Sequence, residues 1–272
     1  MRNILTIAGS DSCGGAGIQA DLKTFSALGA YGMSVITAVT AQNTCGVSGV
    51  REMDAEIVRE QIDLLFEDIR IDAVKIGMVS NIDIIEAIGE RLRDHGAGRI
   101  VVDPVMVSKS GCHLLNPEAE VELVRVLLPL ASVVTPNLFE AGVITHESID
   151  SVDRMKQAAV KICGLGARAV VVKGGHLEGD AVDVLYDGRE FHYLTSQRIE
   201  TKNTHGTGCT YSSAIAVYLA EGRPLLEAVR MAKAYITGAI EHALEIGRGA
   251  GPVGHFNELY RKAGVEGGES DA

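Results

Sequence analysis

Seven consecutive residues, Thr-His-Gly-Thr-Gly-Cys-Thr at 204–210, combine a glycine-rich turn with a thiol just before a long apolar stretch. Gly206 and Gly208 lack a side chain, so the backbone is able to turn tightly there and point successive N–H groups at an anion. A helix that begins at such a turn adds the positive end of its dipole. We therefore predict a phosphate-binding helix start, with Thr207 and Gly208 against the phosphate and Cys209 in the first turn.

Cys209 is the candidate catalytic residue of this turn. The field that attracts a phosphate also lowers the pKa of a thiol, so we expect Cys209 to be partly ionised at neutral pH. A base beside a phosphate indicates phosphoryl transfer. The alternative is that the glycines form an ordinary tight loop and Cys209 fills the core, because free cysteine is often buried. These residues alone leave both interpretations open.

Four more polar side chains follow apolar runs of the chain. Asp103, which precedes a proline, is a candidate metal ligand or an ordinary turn aspartate. Asn137 and Glu140 share one face of a predicted helix, and helix capping explains this spacing as well as a binding role does. Lys173 is a candidate phosphate contact or a solvated lysine.

The elements that must position these residues are short apolar runs alternating with helical patterns. Val58, Ile62 and Leu65 recur at helical spacing. A hairpin is predicted around 187–188, joining 182–186 to 191–194. The alternation predicts an α/β fold, a mainly parallel central sheet with flanking helices, whose ligands bind at the carboxyl ends of the strands. The predicted strands are residues 4–8, 34–39, 73–76, 100–102, 133–134 and 169–172.

Composition limits the function further. The net charge of −11 argues against a nucleic-acid partner, which requires a basic face. The chain has no 18-residue apolar run and no signal-peptide pattern, so we expect neither a membrane span nor export. The five cysteines include no C-x-x-C pair, which favours a reducing cytoplasm over zinc or disulfides. We predict one domain over 1–263 and a disordered tail over 264–272.

The first glycine-rich loop contains a partial dinucleotide-binding pattern. Residues 15–20 fit G-x-G-x-x-G/A, but that fingerprint requires an acidic residue about 20 positions later to bind the ribose. Residues 40–44 read Thr-Ala-Gln-Asn-Thr there, and the next carboxylate is Glu52. The chain also lacks the P-loop pattern G-x-x-x-x-G-K-[S/T].

Six motifs in this order resemble the hydroxymethylpyrimidine and phosphomethylpyrimidine kinases of thiamine biosynthesis, a ribokinase-like family. The resemblance covers about residues 1–260. The motifs are Gly-Ser-Asp-Ser-x-Gly-Gly-Ala-Gly-Ile-Gln-Ala-Asp-Leu-Lys-Thr at 9–24, Ala-Gln-Asn-Thr at 41–44, Lys-Ile-Gly-Met at 75–78, Asp-Pro-Val-Met at 103–106, Thr-Pro-Asn at 135–137 and His-Gly-Thr-Gly-Cys-Thr at 205–210.

The resemblance implies a ribokinase-like three-layer sandwich, usually dimeric, which uses MgATP to phosphorylate 4-amino-5-hydroxymethyl-2-methylpyrimidine and then its monophosphate. It implies that Cys209 replaces the catalytic aspartate of most ribokinase-like enzymes, with Gly206 and Gly208 framing the anion hole. The resemblance also implies a magnesium site held generally through water at Asn137 and Glu140, and a substrate pocket at Gln42, Asp21, Met78 and Val105. From the residues themselves, Asp103 is a further candidate metal ligand, and Lys173, Thr207 and Gly208 are candidate contacts to the nucleotide phosphates.

Two alternatives remain at this point. A pyridoxal or pyridoxine kinase of the same fold is one, because some of these enzymes use a similar cysteine-containing loop and act on a similar hydroxymethyl heteroaromatic ring. The other is a vitamin or nucleotide sensor that binds without turnover. The presence of Cys209, Asn137 and Glu140 together favours an enzyme.

Overall fold

One nine-stranded sheet organises the chain. The structure, a computed structural model, describes residues 1–106, 115, 117–175, 177 and 179–265, so most of the predicted tail lies outside the described residues. The strands are β1 (Asn3–Asp11), β2 (Tyr31–Asn43), β3 (Gly46–Glu52), β4 (Ala73–Ile76), β5 (Ile100–Val102), β6 (Val133–Val134), β7 (Val170–Val172), β8 (Ala181–Tyr186) and β9 (Phe191–Ser196).

The spatial order of the strands is β3-β2-β1-β4-β5-β6-β7-β8-β9. Strands β2 to β7 in this order are parallel, whereas β3, β8 and β9 pair antiparallel at the two edges. The prediction of an α/β fold with a mainly parallel sheet is therefore confirmed. The predicted hairpin is β8 and β9, joined around Asp187.

Helices cover both faces of the sheet and make the predicted three layers. One core packs α2 to α6 against the sheet, and a second core packs α1, α7 and α8 against the other face. No helix among the described residues combines the length and the apolar character needed to cross a bilayer. The helices are α1 (Gly17–Ala27), α2 (Ala55–Asp68), α3 (Ile82–Asp94), α4 (Pro117–Val126), α5 (Leu138–Thr145), α6 (Val152–Gly164), α7 (Thr207–Ala220), α8 (Leu225–Glu241) and α9 (Asn257–Lys262).

Strand β2 contains a bulge that changes which of its side chains face inward. Ala8 of β1 pairs with Ile36 of β2. Ser10 lies two residues further along β1, yet it pairs with Val39, which lies three residues further along β2. The buried positions of β2 are accordingly 33, 35 and 37 before the bulge and 38 and 40 after it. Because side chains alternate along a strand, the extra residue turns Gln42 towards the same face as Val35.

The edge strand β3 is not predicted by the sequence pattern. Its residues are half-buried or exposed, so the alternation of apolar and polar residues that marks a strand is weak there. The strand forms because the long β2 extends beyond β1 and offers it a partner. The two strands leave Gln42 near the turn that joins them.

Candidate active site

Helix α7 begins at Thr207, as predicted, after a glycine that no other residue replaces easily. Gly206 has a φ of +81°, in the left-handed region that favours glycine. A Cβ there would lie 1.7 Å from the carbonyl oxygen of Gly15. This close approach joins the loop after β1 to the start of α7, and the side chain of Thr207 donates a hydrogen bond to the carbonyl oxygen of Thr204.

Two helix N-termini meet at Cys209. The residue lies in the first turn of α7, and the backbone N–H of Gly17, the first residue of α1, lies near enough to lower the pKa of its thiol. The positive ends of both helix dipoles therefore face one thiol. The side chain is partly exposed. The alternative interpretation, in which Cys209 only fills the core, does not explain a partly exposed thiol beside two helix N-termini.

The predicted lowering of the thiol pKa is wrong for the protein alone. Burial raises the pKa of Cys209 to about 11, and the carboxylates of Asp21 and Asp103 add to this effect. The ammonium of Lys75 and the N–H of Gly17 lower the pKa of the same thiol, but they do not compensate. Sequence reasoning considered the helix dipole and overlooked the desolvation and the two nearby carboxylates.

A buried ion pair lies behind Cys209. The side chains of Lys75 and Asp21 have no exposed surface, and Nζ of Lys75 lies 2.9 Å from Oδ2 of Asp21. The hydroxyls of Thr6 and Ser213 donate to the same carboxylate, at 2.6 and 2.7 Å. Burial opposes the charge of Lys75, yet Asp21, Cys209 and Asp103 raise the pKa of its ammonium and keep it protonated.

The predicted pocket role of Asp21 stays a prediction. Its carboxylate has no exposed surface and accepts hydrogen bonds from three protein side chains. One of these donors is the ammonium of Lys75, which Asp21 holds in place. Sequence reasoning assigned no role to Lys75, although a lysine inside a four-residue apolar strand is an unusual residue and was a usable signal.

Asp103 and Lys173 form a second pair, next to Gly208. Nζ of Lys173 lies 2.7 Å from Oδ1 of Asp103, which also accepts a hydrogen bond from Thr135. A Cβ on Gly208 would lie 3.3 Å from Nζ of Lys173 and 3.5 Å from Oδ2 of Asp103. Burial works against ionisation, but Lys173 and Lys75 hold the pKa of Asp103 below its usual value. The glycine turn, the carboxylate and the ammonium are thus brought together as predicted.

Asn137 and Glu140 form a capping box at the start of α5. The side chain of Asn137 accepts from the N–H of Glu140, and the carboxylate of Glu140 accepts from the N–H of Asn137. The helix-capping interpretation is therefore correct. Glu140 is nonetheless unusual, because burial and the nearby Asp103 raise its pKa to about 7 against the opposing effect of Lys173.

The residues around Gly208 fit a hydrated magnesium ion. Magnesium prefers oxygen ligands, is commonly held by one or two carboxylates, and keeps several of its waters. Asp103 and Glu140 supply buried carboxylates that share the ammonium of Lys173 as a neighbour. One oxygen of each carboxylate and the amide oxygen of Asn137 already accept protein hydrogen bonds. The arrangement therefore suits an ion held partly through water.

Of the other predicted substrate-binding residues, Gln42 lies near the end of β2, Met78 follows β4 and Val105 follows β5. Gln42 is half-buried, and its side chain contacts Thr40 and His205. The methyl group of Met78 packs over Gly9, where a Cβ would lie only 2.8 Å from it. Val105 is half-buried two residues after Asp103.

A buried pair that sequence reasoning missed fixes the first loop. The carboxylate of Asp11 accepts hydrogen bonds from the N–H groups of Cys13, Gly15 and Ala16, and from Nε2 of His205 at 2.8 Å. Asp11, Cys13 and His205 carry possible metal-ligand atoms within 4.8 Å of one another. Because the carboxylate already has four donors, this cluster is a hydrogen-bonded clamp. No sequence signal connects residues 194 positions apart.

Comparison with known proteins identifies the family to which the chain is similar. A family profile described as phosphomethylpyrimidine kinase matches residues 11–254. The hydroxymethylpyrimidine/phosphomethylpyrimidine kinase of Rhizobium meliloti (strain 1021) is 57% identical over 262 residues, which cover 94% of this chain and 98% of that protein.

Two solved structures share the fold over most of their length. The phosphomethylpyrimidine kinase of Clostridium difficile 630 has a TM-score of 0.79 at 52% identity, covering 88% of this chain and 100% of that one. The ADP complex of Bacillus subtilis pyridoxal kinase has a TM-score of 0.88 at 43% identity, covering 94% and 97%. The profile spans every predicted site residue, and the resemblance seen in the sequence motifs is confirmed. The chain belongs to the phosphomethylpyrimidine kinase family.

Proposed function

We propose that the protein transfers the γ-phosphoryl group of ATP to the hydroxymethyl group of 4-amino-5-hydroxymethyl-2-methylpyrimidine, and then phosphorylates the resulting monophosphate. The observation that carries the proposal is the position of Cys209 in the first turn of α7, near the N–H of Gly17 at the start of α1. At the start of the loop that precedes Gly17, Asp11 contacts His205, and His205 contacts Gln42. We therefore assign the thiol to a position between a ring-binding side at Gln42 and a phosphate-binding side at Gly208.

Charge stabilisation is the main task in this reaction. Phosphoryl transfer passes through a loose transition state with charge on the equatorial oxygens, so catalysis depends on positioning and on preorganised positive groups. The start of α7 at Gly206–Gly208 and the ammonium of Lys173 supply such groups. We assign Asn137, Glu140 and Asp103 to magnesium, which when bound neutralises charge on the phosphates.

Cys209 is proposed to receive the proton of the hydroxymethyl group. With a pKa of about 11 the thiol is protonated in most molecules at neutral pH, and its small ionised fraction is a strong base. Lys75 stabilises that fraction from behind, because its ammonium is fixed by Asp21 and cannot reach solvent. The proton moves late in a loose transition state, so complete ionisation beforehand is unnecessary.

The second phosphorylation uses the same machinery. The substrate has a single hydroxymethyl arm, so the second phosphate must be added to the first, and the site must accept an alcohol and a phosphate ester in turn. The helix starts near Cys209 favour the added negative charge. Gln42 contacts the ring edge, which is the same in both substrates, and therefore serves both steps.

Pyridoxal phosphorylation is the second candidate function. It is favoured by the similarity to Bacillus subtilis pyridoxal kinase, whose solved structure is an ADP complex. A sensor without turnover is disfavoured, because a thiol at two helix starts and a buried lysine–aspartate pair behind it have no purpose in simple binding.

One experiment separates these functions. Purified protein is incubated with excess MgATP and either the aminopyrimidine alcohol or pyridoxal, and the product masses are followed with time. We expect the aminopyrimidine to gain first one and then two phosphates, through a monophosphate that appears free in solution. Accumulation of monophosphate alone, or faster turnover of pyridoxal than of the aminopyrimidine, would reject the assignment.

A further inference from the structure

The orientation of the Gln42 side-chain amide follows from counting hydrogens around it. The hydroxyl oxygen of Thr40 lies 3.0 Å from the carbonyl oxygen of Ser10 and 3.2 Å from the Gln42 amide atom assigned as Oε1, an assignment that a 180° flip of the amide exchanges with Nε2. A threonine hydroxyl has one hydrogen, so it donates to one acceptor only. With that hydrogen given to Ser10, the group facing Thr40 must itself be a donor. This contact therefore favours the amide nitrogen on the Thr40 side.

The other end of the same amide gives an independent answer. The Gln42 atom assigned as Nε2 lies 3.4 Å from Nε2 of His205, which in turn lies 2.8 Å from the Asp11 carboxylate. Hydrogen bonds from His205 and from the N–H groups of Ala16 and Cys13 lower the pKa of Asp11 against the effect of burial, so this carboxylate is ionised and accepts only. Nε2 of His205 must then carry a hydrogen, and an amide nitrogen beside it would place two donors together.

Both contacts are satisfied by one orientation of the amide. Exchanging the assigned atoms puts the oxygen towards His205 and the nitrogen towards Thr40. The Thr40 hydrogen then goes to Ser10, the His205 hydrogen goes to Asp11, an amide hydrogen goes to the Thr40 oxygen, and no donors oppose each other. We propose that Thr40 and His205 lock the Gln42 amide in this orientation, and that the lock makes the pocket selective for the order of donor and acceptor along one edge of the ligand.

The lock explains a preference that Gln42 alone does not provide. A free amide rotates by 180° at little cost and presents its donor and acceptor in either order. The 4-amino group and adjacent ring nitrogen of the aminopyrimidine present a donor and an acceptor. The 4-oxo analogue, with a carbonyl and a ring N–H, presents the reverse order on the same shape. This inference rests on the proposed function, since it takes the aminopyrimidine edge as the partner of Gln42.

The test compares kcat/KM for the 4-amino substrate and its 4-oxo analogue in matched variants. Thr40→Val removes the hydroxyl but keeps the shape, and His205→Phe removes the ring N–H. His205→Gln restores an N–H donor, and Ser12→Ala is the control, because Ser12 bonds only the backbone of Gln42. We expect the amino-to-oxo ratio to fall about threefold in each single variant and about tenfold in the double variant, with His205→Gln and Ser12→Ala near the wild-type ratio.

Two outcomes overturn different claims. If the wild type phosphorylates neither pyrimidine, the proposed function fails. If it phosphorylates the 4-amino substrate, but the ratio is the same in the wild type and in the folded double variant, only the lock is rejected. Circular dichroism reports folding, and if the double variant is unfolded, the ratio in Thr40→Val alone decides the question.

Discussion

Two lysine–aspartate pairs lie on either side of Cys209, and they differ in their access to solvent. Lys75 and Asp21 have side chains that are 0% exposed, and the partners of the carboxylate are all protein groups. Lys173 keeps 15% of its side chain exposed, while its partner Asp103 is 1% exposed. The first pair therefore carries a charge that is enclosed by protein, whereas the ammonium of the second is partly open beside Gly208, where we propose that a phosphate binds.

The comparison separates two uses of the same ion pair. A fully enclosed pair sets the electrostatic potential at a neighbouring group, because its charges are neither screened by water nor exchanged. In a partly open pair, the exposed cation is able to exchange its partner for an anionic ligand. Breaking the first should cost mainly folding stability, and breaking the second should cost mainly activity.

The largest effect is expected at the thiol between the pairs. Cys209→Ala should lower kcat by about 10²- to 10⁴-fold, the usual contribution of a general base, with little change in the KM for ATP. Steady-state kinetics with ATP varied measures both parameters. A kcat near that of the wild type would return Cys209 to a packing role.

The pH dependence of the same thiol sharpens this prediction. Because its pKa is raised to about 11, the ionised fraction of Cys209 grows about tenfold for each pH unit below that value, so kcat should rise with pH over the neutral range. In Cys209→Asp the base is a carboxylate and should already be ionised, so the profile should be flatter. A wild-type profile without slope would contradict the assigned role.

Lys75→Met should have the next largest effect, on folding. It leaves the Asp21 carboxylate buried without its cation, which typically costs about 3–5 kcal/mol of unfolding free energy. Urea denaturation measures the loss. The double variant Lys75→Met/Asp21→Asn should regain much of this stability, because no unpaired charge remains. A single variant as stable as the wild type would show that the enclosed pair has no structural role.

Lys173→Gln should lower activity more than folding stability. The amide still donates to Asp103, so stability should change by only about 1 kcal/mol, but the loss of a charged contact to phosphate should lower kcat/KM for ATP about 10- to 100-fold. The same denaturation and kinetic measurements apply. A large stability loss with unchanged kinetics would make this pair equivalent to the Lys75 pair.

Glu140→Gln should have the smallest effect. An amide attracts the water shell of a hard cation less than a carboxylate does, so the magnesium concentration for half-maximal rate should rise by about tenfold. The glutamine keeps an oxygen for the capping contact with Asn137, so the thermal midpoint should change little. An unchanged magnesium dependence together with a lower midpoint would leave capping as the sole role of Glu140.

The sequence predicted the parts of the molecule that depend on neighbouring residues. The strands are continuous apolar runs because both faces of the sheet are covered, and the glycines at 206 and 208 mark the start of α7. Strand β3 was not predicted because an exposed edge strand carries little hydrophobic pattern. The dimer, the cytoplasmic location and the boundary at residue 263 stay predictions.

The site properties that the sequence does not predict are mainly those that depend on charges far apart along the chain. The raised pKa of Cys209 depends on Asp21 and Asp103, which approach it only after folding. The Asp11–His205 contact joins residues 194 positions apart, so no local pattern indicates it. Lys75 is a different case. The sequence shows a lysine inside an apolar strand, but it does not show which partner that lysine has.

The bulge in β2 has a consequence for how this pocket evolves. Residues 38 and 40 are buried, and Gln42 shares a face with Val35, because one extra residue shifts the alternation after position 37. Deleting a single residue there would turn Gln42 outward without changing the identity of any pocket side chain. Substrate preference in such a scaffold is therefore accessible to insertion and deletion as well as to substitution, and engineering libraries that keep chain length constant would never sample that route.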